Sequence, residues 1–132
     1  MKENSFEMVN PGSDQKYERL RDDTIQFKIY RIKAHPQVGI LVPPSELEVS
    51  ESTLSEVLRY TVKNEMPKII VDVSNQEPKT GISYARRIYM RSIKMKDITQ
   101  IVTVGLSGED DDFQEPKAMT LDKAVEILLE SK

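Results

Sequence analysis

The chain has 132 residues, with 19 Lys or Arg against 22 Asp or Glu and a formal net charge of -3. That length suits one domain with an ordinary core, and the slight acid excess argues against a general nucleic-acid binder, which needs surplus cations to neutralise phosphates. No cysteine is present, which excludes disulfides, thiolate metal sites and cysteine nucleophiles, and no apolar run reaches the ~20 residues of a membrane helix.

Residues 1–20 are polar and carry the breaker cluster Asn10-Pro11-Gly12-Ser13, so they read as a flexible tail ahead of a single domain over 21–132. The tail has no apolar centre of the kind a secretory signal needs. With the missing cysteines, this predicts a cytoplasmic protein.

Thr24–Ile32 alternates, with Ile25, Phe27 and Ile29 on one side and Gln26, Lys28 and Tyr30 on the other. Period two predicts a half-buried strand. Lys33–Gln37 reads as a turn and Val38–Val42 as the next strand, so a five-residue connection predicts a hairpin. After Pro43-Pro44, Ser50 or Ser52 caps a helix running to about Asn64, with Leu54, Val57, Leu58 and Val62 in one stripe. Lys68–Val73 is an apolar strand that breaks into a loop with Pro78 and Gly81. Thr80 or Ser83 then caps a second helix whose stripe is Ile82, Ala85, Ile88, Tyr89 and Ile93. Ile98–Leu106 is a strand, Ser107–Gln114 an acidic loop, and Lys117–Met119 a short further strand. Thr120 caps a last helix with Leu121, Ala124, Val125 and Leu128 inward.

The order β-β-α-β-α-β-(β)-α predicts an α/β domain: a mixed, mostly parallel sheet with helices packed mainly on one face. In such sheets sites gather outside the carboxyl ends of the strands. The loop from Asn75 to Gly81 is therefore the first place to look for one.

Chemistry-bearing residues are few. Thr80 and Ser83 read either as caps or as an anion or phosphate site at a helix start, with Lys79 beside them. Arg86, Arg87, Arg91, Lys94 and Lys96 crowd the second helix, and Arg87, Arg91 and Lys94 share a face. That face is either solvated or a surface for an acidic partner or anionic head group. Glu109–Asp112 is a run of consecutive acids without the alternating ligands of a calcium loop. It could also pair with the basic helix of a second copy, giving a homodimer. His35 is the single histidine and lies in the predicted turn, which leaves neither a Ser-His-Asp set nor a metal site in view. No cofactor motif is present.

The run KIIVDVSN, the Thr80-Gly81-Ile82 helix start, the strand ITQIVTVGLSG and the closing Met119–Val125 helix together resemble the STAS domain. This is the family of anti-sigma-factor antagonists, and the chain looks closest to its divergent SpoIIAA-like members. The resemblance spans about Thr24 to Ser131 and implies a non-catalytic regulatory or protein-interaction module. By this resemblance Lys79 stands where the antagonists carry a phosphorylated serine, and Thr80 matches the serine after it, making Thr80 the candidate for phosphorylation. Together with the helix start and its basic face, this makes Lys79, Thr80, Gly81, Ser83, Arg86, Arg87 and Arg91 the candidates for binding a protein partner or a ligand. Relatives of this fold also suggest a carrier of a small apolar or anionic ligand or lipid, with Arg86 or Arg87 on its head group. A third reading is a receiver-like phosphoacceptor domain using Asp72, with Asp22-Asp23 to hold magnesium. No enzyme, metal, cofactor, nucleic acid or membrane span is expected.

Overall fold

A strand buried on both faces must be apolar at every position, and Ile69, Ile70 and Val71 meet that demand at the centre of the sheet. The computed structural model describes residues 17–20, 27–44, 50–74, 76–106 and 116–130. Its strands are β1 (Tyr17–Leu20), β2 (Lys28–Ile32), β3 (His35–Val42), β4 (Lys68–Asp72), β5 (Gln100–Val104) and β6 (Lys117–Ala118). Its helices are α1 (Glu51–Lys63), α2 (Pro78–Ser92) and α3 (Leu121–Glu130). The six strands lie side by side in chain order. β1, β2 and β3 are antiparallel, and β3 to β6 are parallel.

The sheet is therefore α/β and mixed, as expected, and helices cover both faces. On one face Leu54, Val57 and Leu58 of α1 and Tyr84 and Ile88 of α2 pack with Ile69, Val71 and Val73. On the other, Leu121, Ala124 and Leu128 of α3 pack with Ile70, Val102 and Val104. Each of the Leu, Ile and Val side chains among them contributes roughly 1.5–3 kcal/mol by leaving water. Two of the three helices share a face, and α3 supplies the cover under which Ile70 of β4 is buried on the other.

Two expectations are corrected. Tyr17–Leu20, placed in the tail by the sequence, is β1, with Tyr17 opposite Ile32 and Leu20 opposite Ile29. The breaker cluster at 10–13 hid a short strand beyond it; residues 1–16 lie outside the described residues. The hairpin connection is Lys33-Ala34 rather than a five-residue turn, because β3 starts at His35. A register shift at Arg31/Ile32 sits opposite this start. An irregular ladder tolerates a residue without an N–H, so Pro36 fits within the strand.

Helix α1 starts where its cap predicts: Ser50 Oγ accepts from the Thr53 N–H at 3.2 Å. It closes on Asn64, whose Nδ2 donates to the Tyr60 carbonyl, and on Glu65 in the left-handed region at φ 64. Thr61, which the apolar stripe did not predict, is fully buried and donates its hydroxyl to the Leu58 carbonyl. Satisfied within its own helix, that hydroxyl can take a core position.

Candidate functional site

The carboxyl ends of β3, β4 and β5 are drawn together by a few polar bonds and one close backbone approach. Asp72 closes β4 and is 1 % exposed. Pleat alternation puts its side chain on the same face as Ile70, toward the α3 side. Its Oδ1 accepts from the Ser74 N–H at 2.9 Å and the Ser74 hydroxyl at 2.6 Å. Its Oδ2 is buried without a partner. Burial pushes this carboxyl above the ordinary aspartate range, against the pull of the two Ser74 bonds.

Beyond Asp72, the Val73 N–H donates to the Val104 carbonyl and extends the β4–β5 ladder by one bond. Gly105 then turns at φ 97, and a Cβ there would lie 2.5 Å from the Ser74 backbone. Only glycine accepts both that angle and that approach. Gln76 bridges the other way. Its Nε2 donates to the Pro43 and Pro44 carbonyls at 3.0 and 3.3 Å, tying the loop after β4 to the end of β3. These two acceptors set the amide's orientation and leave Oε1 buried and unpartnered. The sequence reading missed Gln76, because a glutamine in a polar loop carries no local signal of burial.

Helix α2 begins one turn earlier than the expected caps. Pro78 is in its first turn, Glu77 occupies the cap position without a side-chain bond, and the Gly81 N–H donates to the Glu77 carbonyl. Proline's fixed φ and missing donor suit a first helical turn. Thr80 is therefore half-buried inside the first turn and Ser83 exposed in the next, and neither is the cap. Gly81 is buried where a Cβ would meet the Val73 side chain at 3.2 Å, so α2 lies close against the end of β4. Lys79 is exposed.

The basic residues separate into two groups. Arg87 Nε and Arg91 Nε reach Oε2 and Oε1 of Glu51 on α1, at 2.9 and 2.8 Å. Arg91 also donates to the Ser55 hydroxyl. Arg91 and then Arg87 hold the Glu51 carboxyl below its ordinary range. Arg87 and Arg91 thus clamp α2 to α1 and do not stand open on a binding face with Lys94. Arg86 is half-buried on the helix surface, while Lys79, Ser83 and Met90 are exposed along one stripe of α2 and Lys94 is exposed in the turn just after it. Tyr84 is in the core, edge-on to Phe27 at 6.1 Å. Ile93, expected inward, is 57 % exposed.

At the opposite, amino end of β5 a groove of about 170 Å³ opens between that strand and the last turn of α2. Tyr89, Ile93, Ile98, Ile101 and Pro116 supply its apolar lining. His35 begins β3 while Asp72 ends the parallel neighbour β4, so the two sit at opposite ends of the sheet. Asp22, Asp23, Asn75 and the acidic run Glu109–Asp112 lie outside the described residues. Among the described residues no three His, Cys, Asp or Glu side chains group as metal ligands, and no helix is long and apolar enough to cross a membrane. The chain matches no family model, no curated protein and no solved structure.

Proposed function

We propose that this chain is a non-catalytic, STAS-like regulatory module of the cytoplasm that docks a protein partner on the outward stripe of α2. The observation that carries this reading is Met90, a large apolar side chain 51 % exposed between the exposed Lys79 and Ser83 on one side and Lys94 on the other. An apolar centre with a polar, cationic rim is the anatomy of a docking patch. The Glu51 clamp adds to it, because a helix held in place loses little freedom on binding. Thr80 is the residue proposed for phosphorylation. It lies in the first turn of α2, where the helix dipole favours negative charge and Lys79 is adjacent.

The carrier reading has less support. The groove of about 170 Å³ is smaller than the ~300–1,000 Å³ of small-molecule pockets. The receiver reading has least, because a phosphodonor must reach an Asp72 that is 1 % exposed.

The test is a photo-crosslinking side chain placed at Met90 of the full chain in its own cells, with a second placed at the exposed Glu126 of α3 as control. The expected result is one protein captured in stoichiometric yield from position 90 alone, and lost when Lys79→Glu is added. Equal capture from both positions, or a co-purified small molecule in the native mass spectrum, would sink the reading.

A further inference from the structure

We propose that the groove at the amino end of β5 is a second docking site, which takes an extended acidic segment of a partner protein as an added strand. The proposal does not rest on the α2 stripe, with which it shares only Lys94.

The backbone comes first. Residues of a parallel strand bond alternately to the neighbours on either side. The Val104 carbonyl accepts from Val73 on the β4 side, whereas the Thr103 N–H donates to Pro116 on the β6 side. Ile101, two residues before Thr103, therefore directs its own N–H and C=O to the β6 side. β6 pairs only with Thr103 and Val104. Among the described residues no strand lies opposite Ile101, and the groove occupies that place. An unpaired strand edge is a template for another strand, and extended peptides bind sheet edges through such main-chain bonds.

Side chains define what fits. Tyr89, Ile93 and Ile98 line the groove beside Ile101, and its volume of about 170 Å³ has room for one large apolar side chain. Ile93 is 57 % exposed and forms the outer wall. The connection from α2 to β5 carries Lys94 and Lys96, both exposed and neither in an ion pair among the described residues. Asp97 is the one acid beside them. An added segment with an apolar anchor flanked by Asp or Glu meets this rim with complementary charge. It also supplies a donor and an acceptor to Ile101, which has none on this side among the described residues.

The test is a random-peptide display library panned against the full chain, with counter-selection on the Ile93→Glu variant. Ile93 is exposed, so the variant keeps its core, and an unchanged melting temperature checks this. The expected peptides share one large apolar residue flanked by acids. A chosen peptide should lose at least tenfold in affinity on N-methylation of its anchor amide, and similarly against Lys94→Glu/Lys96→Glu. Bound peptide should protect the Ile101 amide from hydrogen exchange, and Met90→Asp should change none of this. No enrichment over the variant, enrichment of basic peptides, or binding that survives N-methylation would overturn the proposal.

Discussion

The two ends of the parallel strands are built on opposite plans. At the carboxyl end the loops after β3, β4 and β5 are pulled together: Gln76 reaches back to Pro43 and Pro44, and Gly105 is pressed on Ser74. At the amino end α2 and β5 stand apart and leave a groove with Ile93 on its lip. Ligand sites in open α/β sheets collect at the carboxyl end. Here the described residues of that end are spent on packing, and apolar surface is exposed at the other. Strand polarity and exposed apolar surface therefore point to different ends of this sheet.

The comparison breaks most sharply at Gly105. A Gly105→Ala chain must hold a side chain at φ 97 and push the Ser74 backbone from 2.5 Å. The expected loss is about 3 kcal/mol or more, read by urea denaturation. Gly39→Ala is the contrast. A Cβ there meets side-chain atoms of the buried Met66, Sδ at 2.9 Å, Cε at 3.2 Å and Cβ at 3.3 Å, of which the thioether end is able to change rotamer. A loss of only ~1 kcal/mol is expected. Equal losses at the two glycines would mean that the carboxyl end is no more tightly built than the middle of β3.

Asp72 gives the next effect, and its sign is the informative part. Burial raises its pKa in the folded chain. Above the ordinary aspartate value the folded chain keeps a proton that the unfolded chain releases. Stability then falls as pH rises toward the folded pKa and stays low above it. Asp72→Asn removes this penalty. Its melting temperature should gain on the parent as pH rises from about 3 toward 7, and thermal melts across that range measure the gap. A gap that narrows with rising pH would show that Asp72 is held as an anion by a partner.

Glu51 should give the smallest effect, with the opposite sign. Arg91 and Arg87 lower its pKa, so its contribution is present above the ordinary glutamate value and is lost as pH falls through the folded one. Both partners are in reach of solvent, and exposed ion pairs are screened. Glu51→Gln should lower the melting temperature slightly at low ionic strength and not measurably in molar salt. A large, salt-independent drop would mean that the clamp is a structural core element.

Most of the fold was legible because its signals are local. The alternation in β2, the unbroken apolar run of β4, and the caps at Ser50 and Thr120 each state an element within a few residues; the Lys123 N–H does donate to the Thr120 hydroxyl at 3.1 Å. The site was less legible because its determinants are distant in sequence. Arg87 and Arg91 look like a basic face until Glu51, 36 and 40 residues away, is placed beside them. Tyr84 looks amphipathic until Phe27 meets its ring. The start of α2 was misjudged for a different reason: Thr80 and Ser83 are good caps, but Pro78 already carries the φ a helix needs. The STAS resemblance rests on element order and short motifs, and the α2 stripe is the part of it that experiment can address first.

The strand order has a consequence for how the chain is made. Space and sequence agree from β1 to β6, so every strand that leaves a ribosome finds its neighbour already synthesised. The sheet can be laid down one edge at a time, with no strand held waiting for a later one to slip in beside it. Until the next strand arrives, each new edge is briefly open, and β5 is the edge that β6, only two residues long, leaves least covered.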